Sequence, residues 1–398
     1  MTTAVIVDAV RTPGGKRNGK LSGWHPVDLA AETLKALVER NDLDAALVED
    51  VIMGCVMQVG AQGANVARNA ALAAGFPESV VGTTVDRQCG SSQQALHFAA
   101  QGVMAGQYDV VIAAGVEVMS LVPMGASAMV EGAGSPFGPA VRHRYWSAGG
   151  LVPQGISAEM IADQWDISRE DLDRFGALSQ QRAARATAEG RFDREILPVG
   201  TRVKDRQTGH VDSSDDLVAT DEGIRPGTTV DTLSNLKPAF KPDGKVTAGN
   251  SSQITDGAAA VLVMSEEKAS ALGLTPLARF HAFSLAGVDP VTMLTGPIPA
   301  TTKVLERSKL TIDDIDLIEI NEAFATVDVA WEKEHHPDMA KVNVNGGAIA
   351  LGHPLGCSGA KLMATLVNEL ERTGGRWGLQ TMCEGGGMAN ATVIERLG

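Results

Sequence analysis

Four separated segments of this chain each carry one chemically useful side chain. Cys89 lies in Asp86-Arg87-Gln88-Cys89-Gly90-Ser91-Ser92, and Cys383 opens Cys383-Glu384-Gly385-Gly386-Gly387. Between them stand Asn321-Glu322-Ala323-Phe324 and Gly352-His353-Pro354. Each side chain has small residues beside it, where backbone can approach a substrate closely. A thiol, an imidazole, an amide and a second thiol suffice for acyl transfer through a thioester.

Cys89 follows a short polar stretch after Val81–Val85 and precedes a helical pattern, Ser91–Ala105. A cysteine at a helix N-terminus gains from the dipole and from free N–H groups, which predicts a lowered thiol pKa and a place to hold an oxyanion. Taken alone, the position also suits a buried small residue at a strand–helix turn. His353 lies in Asn343–Gly359, where Gly346, Gly347, Gly352, Gly356 and Gly359 imply tight backbone packing. An imidazole there could activate a thiol and polarise a thioester carbonyl. Cys383 could serve as a general acid or base, with the N–H groups of its glycines as an oxyanion site. The other reading makes it a buried hydrophobe before a tight turn. Asn321, ending the run Leu317–Ile320, could hold a water or a carbonyl oxygen.

The elements that must position these residues alternate between short apolar runs and amphipathic stretches. Ala4–Val7, Val51–Met53, Val110–Ala114 and Ala259–Met264 read as buried strands, and Pro26–Arg40 and Ser92–Ala105 as helices, so the fold class is α/β. The pattern recurs at a nearly constant offset. Val51 corresponds with Ile318, and the helix opened by Cys89 with the one opened by Cys357. Two like halves are expected, residues 1–118 with 250–272, and residues 273–398. Residues 119–249 break the rhythm and read as an inserted domain. In it, helices are expected over Ser157–Trp165, capped by Ser157, and over Ser168–Glu189, opened by the capping box Ser168-Arg169-Glu170-Asp171. A polar loop is expected around Asp215-Asp216 and Asp221-Glu222.

Bulk composition narrows the function classes. The chain has 398 residues, enough for two or three domains with cores of their own. A net charge of −14 argues against nucleic acid or an anionic membrane as partner. Cys55, Cys89, Cys357 and Cys383 are too few and too scattered for a disulfide framework or a metal site. No run of about 18 apolar residues is present to span a membrane, and the N-terminus shows no basic–apolar signal pattern. The expectation is a cytoplasmic enzyme without metal.

The order and wording of these segments resemble the thiolase family over essentially the whole chain. The resemblance extends to Gly155-Ile156-Ser157-Ala158-Glu159, Gly249-Asn250-Ser251-Ser252, Asp256-Gly257-Ala258-Ala259-Ala260 and Asn343-Val344-Asn345-Gly346-Gly347-Ala348. It implies a five-layered αβαβα core of two similar α/β halves, and an inserted loop domain that binds coenzyme A. It further implies a homodimer or homotetramer, and acyl-CoA and coenzyme A as substrates with no permanently bound cofactor. By motif, Cys89 would be the acylated nucleophile, His353 its activator and Cys383 the acid or base at the acetyl carbon. Asn321 would hold a water in one oxyanion hole, and the N–H groups of Cys89 and Gly385 would form the other. Ser252, Ala248 and Phe240 would contact coenzyme A, with Arg225 near the nucleotide end.

Two residues depart from the family's habit. Gln154 replaces a common methionine at the mouth of the acyl pocket, and Glu384 places a carboxyl beside the second thiol. These features look most like actinobacterial degradative thiolases of lipid and sterol catabolism. The implied activity is thiolytic cleavage of a 3-ketoacyl-CoA to acetyl-CoA or propionyl-CoA and a shortened acyl-CoA. The alternative is an acetyl-CoA acetyltransferase making acetoacetyl-CoA. A ketoacyl synthase would carry a second histidine where Cys383 stands, and a non-catalytic lipid-binding relative would not need all four residues.

Overall fold

The computed structural model describes residues 2–398. Nine strands follow one another across the main sheet: Leu317–Ile320, Trp377–Glu384, Met388–Arg396, Ala278–Gly287, Ala4–Arg11, Thr255–Ser265, Val110–Val118, Asp50–Gly54 and Val81–Val85. The central ones are apolar on both faces. Ala4–Arg11, Val110–Val118 and Thr255–Ser265 are buried at every residue, as strands covered on two sides must be.

The two ends of the sheet repeat one topology. In one half Thr255–Ser265 runs antiparallel to both Ala4–Arg11 and Val110–Val118, and Asp50–Gly54 then runs parallel to Val110–Val118 and Val81–Val85. In the other, Met388–Arg396 runs antiparallel to Ala278–Gly287 and Trp377–Glu384, and Leu317–Ile320 runs parallel to Trp377–Glu384. A parallel bridge from Ile318 to Val342 takes the outermost place. The two half-sheets pair with each other through Val5 with Arg279 and Ile6 with Ala278.

Two helices fill the layer between the halves. Ser91–Met104 and Ser358–Thr373 meet where Gly359 lies on the backbone of Gln93, so closely that a Cβ at 359 would overlap it. There the Ala360 N–H donates to Ser92 Oγ at 2.9 Å. Outer helices, Pro26–Arg40 on one half and Pro297–Ser308 on the other, cover the opposite faces.

Residues 119–249 hold the helices Gln154–Gln164 and Arg169–Ala188 and a two-stranded hairpin, Val199–Lys204 with Val211–Val218. The capping box at Ser168 and Asp171 forms as expected. Two other expectations fail. Ser157 is not a cap: Pro153 opens that helix, and Ser157 lies inside its second turn, fully buried. Proline's fixed φ suits a helix start and takes precedence over the serine downstream. The acidic stretch is not all loop. Asp215 and Asp216 lie in the exposed hairpin, and Asp221 is buried against Arg11.

Candidate active site

The turn that presents Cys89 is held by its own polar atoms. Asp86 Oδ1 accepts from the Gln88 N–H at 2.8 Å, Ser91 Oγ accepts from the Arg87 N–H at 2.9 Å, and the Ser91 hydroxyl donates to the Gln88 carbonyl at 2.5 Å. Gln88 takes a left-handed φ of 50°, a conformation that a non-glycine residue adopts only when its surroundings enforce it. Cys89 then lies buried among Val56, Met57, Met119, Val122, Leu355 and Met382.

The expected lowering of its pKa does not occur. Burial, with Glu384 adding to it, pushes the Cys89 thiol up to about 12, against the pull of the Gly385 and Cys89 N–H groups and the Gln154 amide. Desolvation in an apolar pocket outweighs the helix terminus. The N–H groups of Cys89 and Gly385 nevertheless both act on the sulfur and pull that value down.

His353 follows Gly352, whose φ of 83° is in the left-handed region. Its N–H donates to Thr255 Oγ1 at 3.1 Å, and its Nδ1 lies 2.5 Å from Ser358 Oγ. The Ser358 hydroxyl donates its one proton to the Pro354 carbonyl at 3.0 Å. It therefore accepts from Nδ1–H, which leaves Nε2 as the basic nitrogen. Burial, followed by the charge of Lys361, lowers the imidazole pKa to about 3. The site at rest holds a neutral thiol and a neutral imidazole.

Asn321 Nδ2 stands 3.5 Å from His353 Nε2. Its Oδ1 is buried and accepts no hydrogen bond among the described residues. Asn321 borders a cavity of about 10 Å³, also lined by Glu319, Ser358 and Lys361, room on the order of one water. Cys383 is fully buried at the end of Trp377–Glu384. Burial raises its pKa, and Cys89, Asp328 and Glu384 raise it further, so the two thiols stand within reach of each other's charge.

Of the remaining expected residues, Phe240 and Ser252 meet the Asn321–Phe324 segment. Phe240 lies over Gly155 and meets Phe324 edge to face at 5.8 Å. The Ser252 N–H donates to the Ala323 carbonyl at 3.0 Å. Ala248 is exposed. Arg225 is also exposed and reaches only Gln253 Oε1, at 3.5 Å. Gln154 is half-buried: its amide acts on the Cys89 sulfur and would lie 3.4 Å from a Cβ at Gly385. Ser358, Lys361 and Asp328 escaped the sequence reading. Ser358, five residues after His353 in the same glycine-rich segment, was the one with a usable signal.

Comparison with known proteins agrees with this geometry. The thiolase N-terminal domain family matches residues 4–267, and the thiolase C-terminal domain family residues 274–396. The chain belongs to the thiolase family. It is an acyltransferase with the thiolase fold. Over its full length it is 50% identical to a steroid 3-ketoacyl-CoA thiolase of Mycobacterium tuberculosis, covering 95% of that protein. It is 45% identical to a 3-ketoacyl-CoA thiolase of Bacillus subtilis, over 99% of this chain and all of the relative. The crystal structure of an acetyl-CoA acetyltransferase from Bacillus anthracis superposes with a TM-score of 0.87 at 42% identity, covering all of this chain and 99% of that one. No helix among the described residues is long and apolar enough to cross a membrane.

Proposed function

We propose that this thiolase cleaves 3-ketoacyl-CoA esters with coenzyme A in lipid or sterol degradation. The observation that carries the reading is the convergence on one sulfur, that of Cys89, of two backbone N–H groups from opposite halves of the chain. Cys383 lies two residues from one of those donors. Attack of Cys89 sulfur on C3, with its proton passing to His353 Nε2, makes a tetrahedral oxyanion. Breaking the C2–C3 bond leaves the acyl group on Cys89 and an acetyl-CoA enolate, which takes a proton at C2 from Cys383. Coenzyme A then attacks the acyl-cysteine through its own sulfur, its thiol proton passing to the Cys383 thiolate; Cys89 leaves, takes its proton back from His353 Nε2, and the shortened acyl-CoA is released. Asn321, with a water and His353, faces the enolate oxygen. The N–H groups of Cys89 and Gly385 face the acyl oxygen.

In this reading residues 119–249 carry coenzyme A, with Gln154, Phe240, Ala248 and Ser252 along the pantetheine and Arg225 toward the nucleotide. The halves 1–118 with 250–272 and 273–398 supply the reacting groups. A homodimer or homotetramer is supported by the half-exposed edge strand Val81–Val85, and by Met129 and Trp146, 75% and 80% exposed. Four free cysteines fit a reducing cytoplasm. The acetyltransferase reading rests on the likeness to the Bacillus anthracis enzyme and runs the same steps in reverse.

Rates of thiolysis across 3-ketoacyl-CoA esters, from acetoacetyl to a ring-bearing one, test the proposal. Ring-bearing and longer esters should be turned over with higher kcat/KM than acetoacetyl-CoA. Gln154→Met should penalise bulky esters at least about fivefold more than acetoacetyl-CoA, near 1 kcal/mol of discrimination. A strict preference for acetoacetyl-CoA would favour the acetyltransferase reading.

A further inference from the structure

Glu384 is the ionisable group closest to the reacting thiols that the steps above leave unused. It ends the strand Trp377–Glu384 and is fully buried. Its carboxyl is pressed onto Gly90, the residue that caps the nucleophile's helix. A Cβ at position 90 would overlap Glu384 Oε1, so any larger residue there would have to displace the carboxyl. Neither Glu384 oxygen accepts a hydrogen bond among the described residues. The nearest cation is Arg87, whose NH1 lies 3.9 Å from the sulfur of Met388, the residue paired with Glu384 across the strands. Arg87 Nε is itself buried, and among the described residues it has no hydrogen-bond partner, nor does either Glu384 oxygen pair with it.

The groups that face this carboxyl come from three elements. Asp86, Arg87 and Cys89 belong to the turn before the helix. Cys383 is its neighbour on its own strand. Asn390, from the adjacent strand, is uncharged and donates to the Gly90 carbonyl at 3.0 Å. A buried carboxylate with no hydrogen bond and no ion pair is costly, and a thiolate beside it costs more.

We propose that Glu384 is a positioning residue that holds the site to one negative charge: Cys89 ionises readily only while the Glu384 carboxyl carries its proton. The inference rests on the thiolase reading, since it concerns that reaction's nucleophile. Burial, with Asp86 adding to it and Arg87 opposing, places the carboxyl's pKa near 8. The site therefore works with a neutral acid at its back at neutral pH, and a carboxylate at higher pH opposes the thiolate. The two groups titrate as one coupled unit.

The test is the pH dependence of Cys89 alkylation by iodoacetamide, read by peptide mass spectrometry on the full-length enzyme. The wild-type rate should climb about tenfold per pH unit, flatten where Glu384 ionises, and climb again. Glu384→Gln should remove the flattening and raise the rate at pH 9 at least about fivefold, the effect expected when a neighbouring charge is removed. Glu384→Asp, which keeps the charge, should keep the flattening. A wild-type profile that climbs without a break overturns the proposal even if the variants do not fold. So do coincident profiles for the wild type and Glu384→Gln. No acyl substrate is used, so failure of Cys89 to acetylate would refute the thiolase reading separately.

Discussion

At the scale of single residues, the active groups are neutral where the sequence predicted an ionised thiol. Position at a helix N-terminus is visible in the order of residues, whereas burial among Met57, Met119, Leu355 and Met382 comes from four distant segments and is not. With a thiol pushed up to about 12 and an imidazole down to about 3, both groups favour the uncharged form, and proton transfer is expected during attack on the substrate. Acetyl-CoA should nonetheless place one acetyl group on Cys89, found by peptide mass spectrometry, and Cys89→Ser should abolish it. Cys383→Ala should still acetylate Cys89, because formation of the acyl-cysteine can draw its proton transfer from His353. Thiolysis should fall at least about 10²-fold in that variant, the usual size of a general acid–base contribution. Near-normal thiolysis by Cys383→Ala would remove Cys383 from the mechanism. The four motif residues stood out in sequence because glycine or another small residue lies within two positions of each. The contacts of Gln154 and Glu384 with the nucleophile were not, since both depend on how separate segments stack.

At the scale of elements, runs that are apolar on both faces read correctly, and so did helices with strong punctuation. Ser168 with Asp171 marks its helix start as expected, and Gly374, with a φ of 74°, ends the Ser358–Thr373 helix. The hairpin Val199–Lys204 with Val211–Val218 escaped notice because seven of the eight residues of its second strand are exposed, leaving no alternation to read. The crossing of Ser91–Met104 and Ser358–Thr373 is the element contact that matters most to the site, since one helix starts beside Cys89 and the other carries Ser358. Its closeness rests on Gly359, and two bonds fasten it to the sheet. Gln93 Nε2 donates to Thr392 Oγ1 at 2.8 Å, and Gln380 Nε2 to the Gly359 carbonyl at 2.8 Å. Gly359→Ala should force the helices apart and lower stability by about 1–3 kcal/mol, as overpacking of a dense core does. Denaturant unfolding would report it as a lower midpoint. An unchanged midpoint would show that the crossing is looser than the contact implies.

At the scale of the whole molecule, a two-residue pairing between half-sheets is too small to fix the halves, and a buried ionic junction supplements it. Arg11, on a strand of the first half, pairs with Glu195 at 2.6 Å and with Asp221 at 2.8 Å, both from residues 119–249. Glu195 Oε1 also accepts from Thr365 on the Ser358–Thr373 helix, at 2.9 Å. One cluster thus touches all three parts of the chain, and no short-range sequence pattern could have revealed it. Burial opposes charge on both carboxyls, but the outcomes differ. Burial prevails at Glu195 and raises its pKa, whereas at Asp221 the charges of Arg11 and Lys361 outweigh it and hold the pKa below the ordinary aspartate value. Asp221 is therefore the firmly ionised partner. Asp221→Asn leaves a buried guanidinium short of its counter-charge, which should cost about 3–5 kcal/mol. Because the folded pKa of Asp221 is depressed, its contribution is fully present above the unfolded value of about 4 and is lost as pH falls through the lower folded value. The stability gap between wild type and Asp221→Asn should therefore be widest at neutral pH and narrow below about pH 4, measured by denaturant unfolding across that range. A gap that stays constant with pH would mean that the variant fails through packing, and that the junction's charge does not hold the three parts together.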